Sequence, residues 1–370
     1  MYEVFEERTK RLQERMVEEG VDAFLVLAGE DYYYFTGDVR RQPRVLIPRE
    51  GEPIIFVFAS EIEEARKQTW IADVRGYRGL HEMMLGIINF LKESGWEKPK
   101  VALEMEFATP YFLVERFKIA NPQVELVDAK PLVAPLRKIK GPEELERITR
   151  AAELADLGIQ TATEIIQPGM TELEVATEVE YTLKKNGADR LAFPMFVNSG
   201  YRSLWLHGTA TRKPIEKGDL IVVDIGPVYM GYCADICRTF SVGEPSEEAR
   251  HLYGLYREMQ RVGLEQAKPG VPTHKIEARI EEVLKGGGYE EHFIRGFLHG
   301  IGLAFEEMPF PTIFPEDVLV PLEAGMTLAF GHPILSVPGI GGVRVEDTVL
   351  LQEDGPVYLT RSPRDDIIVV

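Results

Sequence analysis

Between Gly218 and Phe240 the chain reads Gly-Asp-Leu-Ile-Val-Val-Asp-Ile-Gly-Pro-Val-Tyr-Met-Gly-Tyr-Cys-Ala-Asp-Ile-Cys-Arg-Thr-Phe. Leu220 to Ile225 has the branched apolar composition of a buried strand. Gly226 and Pro227 interrupt it, and Tyr229 to Phe240 is expected to return as a second strand. Such a hairpin carries Asp224 on one arm and Asp235 on the other. Carboxylates inside apolar strands are costly to bury unless a positive group pairs with them. A divalent cation meets that need, because carboxylate oxygens suit hard and borderline ions. Two solvent-facing aspartates on an ordinary hairpin are the alternative.

The two cysteines of the chain, Cys233 and Cys237, both fall on the second arm. Four residues of strand separate them by about 13 Å, too far to bridge. A disulfide framework is excluded, which points to a reducing, cytoplasmic setting. Alternation puts both on the face of Asp235, as small buried residues or, alternatively, as soft thiolate ligands.

Two further motifs supply candidate partners. His299 lies in His-Gly-Ile-Gly, and Glu346 in Gly-Gly-Val-Arg-Val-Glu-Asp-Thr-Val. Asp, Asp, His and Glu in that order and in those contexts resemble the pita-bread metallohydrolases. That family includes methionine aminopeptidase, proline dipeptidase, X-Pro aminopeptidase and the metal-free creatinase. The resemblance is close over the C-terminal two-thirds and looser over the N-terminal third. It implies that Asp224, Asp235, His299 and Glu346 hold one or two divalent ions (Zn, Mn, Co or Fe), with one favoured here. It also implies an active-site role for His207, in Leu-His-Gly, and a substrate-binding role for His207 and Arg344.

The sequence departs from that pattern twice. The family places Glu-Pro after the strand that here reads Gly325 to Phe330, whereas this chain has Gly331-His332-Pro333. By internal count the missing carboxylate falls on Gly331. His332 is one residue further along a strand and would point to the opposite face, unless a bulge at Gly331 re-aims it as a ligand. After His299, peptidase relatives carry Leu-Glu-Val-His-Glu, where this chain has Leu303-Ala304-Phe305-Glu306-Glu307. Glu306 thus stands in the place of a second catalytic histidine, and a glutamate stabilises an oxyanion only if held protonated. The catalytic candidates are His207, Glu306 and His332.

The elements that must position these groups show a weak internal repeat. Pro168-Gly169 recurs as Pro269-Gly270, Gly187 as Gly288, and Gly218 as Gly325. Each half is expected to run helix, Pro-Gly turn, helix, hairpin, with the metal between the two hairpins. A helix is expected from about Glu143 to Ile166, and Thr171 with Glu174 forms a capping box for the next. The fold class is α/β (α+β). An N-terminal creatinase-type α/β domain spans residues 1–130, a linker 131–142 containing Pro131, Pro135 and Gly141-Pro142, and a pseudo-two-fold pita-bread catalytic domain 143–370. In the first domain, strands are expected at 21–28, 45–47, 53–58, 100–103 and 124–127, and helices at 5–19, 61–69 and 80–94. It has no glycine-rich phosphate loop. Its aromatic run Tyr32-Tyr33-Tyr34-Phe35, followed by Arg40, Arg41 and Arg44, suggests substrate binding through Tyr34 and Arg41, or a dimer contact.

Forty-two basic against sixty acidic residues give a net charge of −18, which repels nucleic acid and anionic membranes. No apolar run approaches the roughly 18 residues that span a bilayer. The expectation is therefore a cytoplasmic, metal-dependent hydrolase resembling X-Pro dipeptidase or aminopeptidase. Its altered site suggests a non-standard small amide or C–N substrate, and the resemblance implies a homodimer in which the N-terminal domain nears the neighbour's active site. A creatinase-like metal-independent hydrolase, a lyase on the same scaffold and a catalytically eroded binding protein are the alternatives.

Overall fold

A computed structural model describes residues 2–40, 44–292 and 294–370. The chain divides into two units, Met1–Arg137 and Lys138–Val370. In the first, α1 (Glu3–Glu18) buries Phe5, Leu12 and Met16 on one face and stops before Gly20, whose φ is +65°. Then follow β1 (Ala23–Val26), α2 (Gly29–Thr36), β2 (Val45–Pro48), β3 (Ile54–Phe58), α3 (Ile62–Gln68) and β4 (Asp73–Tyr77). The unit closes with α4 (Leu80–Glu93), β5 (Lys100–Leu103), α5 (Tyr111–Ala120), β6 (Glu125–Asp128) and α6 (Lys130–Arg137). Among the described residues the strands form one mixed sheet in the order β4-β3-β2-β1-β5-β6.

Two expectations fail in this unit. Tyr34, expected at the surface to meet substrate, is buried instead: it is 2% exposed, its hydroxyl donates to the Leu136 carbonyl, and the Arg8 guanidinium lies 4.1 Å from its ring centroid. Arg41 lies outside the described residues. The stretch expected as an irregular linker contains α6, despite Pro131 and Pro135. Pro135 has no N–H for the Pro131 carbonyl, and that carbonyl instead accepts from Arg15 Nη2 at 2.7 Å.

The second unit opens with α7 (Pro142–Ile165) and α8 (Glu172–Lys185). Proline at the first position and Glu144 reaching back to the Gly141 N–H start the former. The Thr171–Glu174 capping box starts the latter. Strands β7 (Arg190–Leu191), β8 (Phe196–Ser199), β9 (Leu220–Ile225), β10 (Pro227–Tyr229), β11 (Tyr232–Cys233) and β12 (Ile236–Ser241) complete the first half. The second half repeats the plan with α9 (Glu247–Gln266), α10 (Thr273–Gly287), β13 (Leu298–Gly300) and β14 (Thr327–Phe330). It ends with β15 (Leu335–Val337), β16 (Gly341–Val343), β17 (Asp347–Gln352), β18 (Gly355–Tyr358) and β19 (Ile368–Val369).

Antiparallel strands β8-β9-β12 correspond to β13-β14-β17, each set beside its own helix pair and its own apolar core. Along β9, Ile221, Val223 and Ile225 face the helical core, which turns Asp224 the other way. The halves meet where Cys237 and Glu346 exchange backbone hydrogen bonds of 3.2 and 3.1 Å. This seam brings the acidic motif of each half to one place.

The second hairpin arm is not the continuous strand the sequence suggested. Met230 (φ +45°) and Gly231 (φ +84°) fold β10 back on β11, and these pair with β7 in a separate small sheet. Asp235 occupies the joint between β11 and β12, and its N–H donates to Thr348 Oγ1 at 2.8 Å. Among the described residues no helix is long and apolar enough to cross a membrane.

A buried ion pair ties the first half together. Glu172, wholly buried, accepts from Arg202 Nε, the Ser199 N–H and hydroxyl, and the Thr211 N–H and hydroxyl. Removing one partner of such a pair leaves the other charge uncompensated. Glu172→Ala is therefore expected to destabilise this unit by about 3–5 kcal/mol. Thermal denaturation checks it: an unchanged melting temperature would show the pair to be dispensable.

Candidate metal centre

Asp224 enters from the end of β9, Asp235 from the β11–β12 joint, His299 from the middle of β13, and Glu346 from the residue before β17. All four are 2% exposed or less. His299 Nε2 lies 3.9 Å from Asp235 Oδ2 and 3.8 Å from Glu346 Oε1. These three residues offer ligand atoms that all lie within 4.8 Å of one another. Asp224 Oδ1, Asp235 Oδ1, His299 Nε2 and Glu346 Oε1 are buried without any hydrogen-bond partner. Buried polar atoms are seldom left so, and four clustered lone-pair donors are what a divalent cation requires. The residues fit the expected metal.

The electrostatics agree. Burial, with Arg344 opposing and Glu346 reinforcing, pushes the Asp224 carboxyl up to about 6. Burial and the neighbouring Glu346 and Asp224 raise Asp235 well above the usual carboxylate range. Burial, then His332, lowers His299 to about 3, so its imidazole is neutral. The His299 Nδ1 lies 3.0 Å from the Gly300 carbonyl and carries the ring proton toward it, leaving the Nε2 lone pair for a ligand.

His332 does reach this centre. The N–H groups of Gly331 and His332 both donate to the Phe297 carbonyl, at 2.8 and 3.2 Å, and Gly331 has φ +114°. That is a β-bulge, and it turns His332 to the side the strand alternation denied it. Any Cβ at Gly331 would lie 2.0 Å from the Val345 carbonyl oxygen, so glycine is required there. The Tyr256 hydroxyl lies 2.5 and 2.6 Å from the Gly331 and Pro333 carbonyls and pins the bulge from behind. The internal count fell on Gly331, but the side chain the bulge turns to the centre is that of His332. Its Nδ1 is 3.6 Å from Glu346 Oε1, and its Nε2 is 3.8 Å from Glu306 Oε1. Burial and Arg344 hold its imidazole neutral, well below the ordinary histidine value. Burial raises Glu306 to about 7, with Glu346 adding to the effect.

His207 sits exposed at the rim, its ring centroid 5.9 Å from that of His332. Arg344, expected to bind substrate, is 2% exposed and turned onto the centre's own acids. Its Nη1 donates to Asp224 Oδ2 at 2.7 Å, and its Nη2 to Glu346 and, at 3.2 Å, to His332 Nδ1. Burial works against its charge, but Asp224 and Glu346 outweigh that and raise its pKa. The signal for this was available: two residues along an extended chain share a face, so Arg344 had to lie beside Glu346. Neither Tyr256 nor Thr348 carried any such mark. Cys237 pairs in register with Asp224 and is buried, and burial raises its thiol well above the usual range. Cys233 Sγ contacts the Leu303 carbonyl instead, so neither cysteine is in a ligand group among the described residues.

Residues 146–353 match the family model for metallopeptidase family M24. The chain belongs to that family. Residues 8–139 match the Creatinase/Prolidase N-terminal domain, so the α/β fold is the one the motifs implied. The chain is 35% identical over 359 residues to the Xaa-Pro dipeptidase of Pyrococcus furiosus, covering 97% of this chain and 99% of that one. The prolidase structure from Pyrococcus horikoshii superposes with a TM-score of 0.87 at 32% identity, covering 98% and 100%. That of the Thermococcus sibiricus prolidase gives 0.91 at 27% identity, covering 99% of each chain. As an M24 enzyme the chain is a hydrolase of the metallopeptidase type.

Proposed function

We propose that the chain is a metal-dependent hydrolase of a small amide or dipeptide-like substrate, slow on ordinary X-Pro dipeptides. The observation that carries this is the neighbouring pair Glu306 and His332, 3.8 Å apart at the centre, at positions where the family resemblance implies a histidine and a glutamate. Asp235, His299 and Glu346 hold the ion, with Asp224 beside them; the ion supplies Lewis-acid polarisation and an acidic water. The protein's own groups do the rest. His207 hydrogen-bonds the substrate or its developing oxyanion at the rim. Glu306, whose carboxyl burial raises to about 7, takes or gives the proton. Residues 143–370 contain all these groups, and residues 1–130 act as a separate N-terminal domain. The assay that tests this is a panel of X-Pro dipeptides beside other small amides, with added Mn, Co or Zn.

One observation favours a second reading, creatinase-like C–N hydrolysis without metal: Arg344 already supplies a cation to Asp224 and Glu346. Metal content separates the two. The metal reading expects close to one tightly held ion per chain, because Arg344 satisfies the Asp224 side. Elemental analysis of protein purified without chelator and exhaustively dialysed checks this, and two equivalents would refute it. We further infer a homodimer in the cytoplasm, from the family resemblance and from two buried cysteines outside any disulfide; light scattering tests the former.

A further inference from the structure

On the reading that the centre holds an ion, we propose that positions 306 and 332 have exchanged a histidine and a carboxylate as a unit, and that both residues are ligands. The ion is then held by two imidazoles, His299 and His332, with Asp235, Glu346 and Glu306 supplying oxygens. Two ligand groups exist among the described residues, and they share His299: one with Asp235 and Glu346, the other with Glu306 and His332. In each group the ligand atoms lie within 4.8 Å of one another. The two rings stand almost perpendicular, at 87°, with centroids 4.8 Å apart, so the imidazoles are immediate neighbours. Glu306 Oε1 lies 3.8 Å from His332 Nε2. This distance is too long for a hydrogen bond and suits two ligands of a common ion.

Chemistry explains why the two replacements go together. A histidine at 332 alone, with a histidine at 306 as the resemblance implies, would put two imidazoles side by side and remove a carboxylate. The glutamate at 306 restores the number of acidic groups around the ion. The Gly331 bulge and the Tyr256 clamp fix where His332 points, so the imidazole is presented by rigid backbone. With an ion held at Nε2, the His332 ring proton would sit on Nδ1, which lies 3.6 Å from Glu346 Oε1. Two imidazoles shift preference toward zinc, cobalt or iron and away from manganese, which favours all-oxygen sites.

The test is X-ray absorption spectroscopy of the full-length protein loaded with Co(II), counting imidazole ligands by their multiple scattering. Two imidazoles are expected in the wild type and one in His332→Ala. One imidazole in the wild type overturns the proposal while leaving the metal hydrolase intact; failure to bind cobalt at all overturns both. Cobalt affinity supplies the second arm. Loss of an outer hydrogen-bond partner of a ligand costs roughly 10- to 100-fold, so a larger loss is expected for His332→Ala. Glu306→His and His332→Glu should each weaken binding. Their combination should bind at least about tenfold better than the two losses multiplied, as coupled neighbours do. Independent, additive losses would show that the two positions are not a unit.

Discussion

Asp235→Ala is expected to give folded protein that retains no metal after dialysis, and Glu346→Ala the same. Both carboxylates belong to the group around His299, and each has one oxygen without a hydrogen-bond partner. Truncating either removes an oxygen from the group built on His299. Loss of metal should not be mistaken for loss of fold. As an acid whose pKa is raised by burial, Asp235 opposes the metal-free fold increasingly as pH climbs above the ordinary carboxylate value. Removing it therefore lifts that penalty at neutral pH, and the metal-free variant should melt no lower than metal-free wild type. A ligand at 100 times its Kd stabilises by about 2.7 kcal/mol, so added metal should raise the wild-type melting temperature and leave the variant's unmoved. Full occupancy in Asp235→Ala would overturn the metal reading altogether. His332→Ala should weaken binding without abolishing it.

The second large effect concerns substrate. On X-Pro dipeptides the expected kcat lies far below the usual enzyme median of about 10 per second. On the proposed reading the imidazole and the carboxylate are both present, but at exchanged positions, 332 and 306. Catalysis depends on their placement, and a 1 Å error can cost about 100-fold. A missing oxyanion donor costs about 100- to 1000-fold, and lost proton transfer about 100- to 10,000-fold. The losses overlap, since one group serves both steps. The dipeptide panel decides: turnover near the median would mean that Glu306 and His332 work from their exchanged positions.

The four principal acids and bases were legible because their motifs are local, and strand alternation fixes where each residue faces. Asp224 on β9 needed only the period of two. His332 was harder, because the bulge that aims it comes from one glycine whose conformation no pattern announces. The broken second arm was missed for a similar reason: Met230-Gly231 is a tight turn inside a run that otherwise reads as strand. In the N-terminal unit α2 was taken for a binding motif, although Tyr32, Tyr34 and Phe35 are 2%, 2% and 1% exposed. Aromatic residues next to arginines look the same in sequence whether they line a core or a pocket. The strand β4 and the helix α5 escaped because charged residues and exposed aromatics dilute their periodicity. Arg344, expected at the substrate, turns instead to Asp224 and Glu346, as its place two residues before Glu346 on one face of the extended chain implies.

The placement of Cys233 and Cys237 has one more consequence. They are the chain's only thiols, each at most 1% exposed, and they flank Asp235 on the seam between the halves. A thiol reagent in solution has nothing else to modify and cannot reach either sulfur in the closed molecule. The rate at which it reacts is therefore a clock for the transient opening of that seam. Whatever tightens the centre slows the clock, so the enzyme carries its own reporter of how often its two halves part.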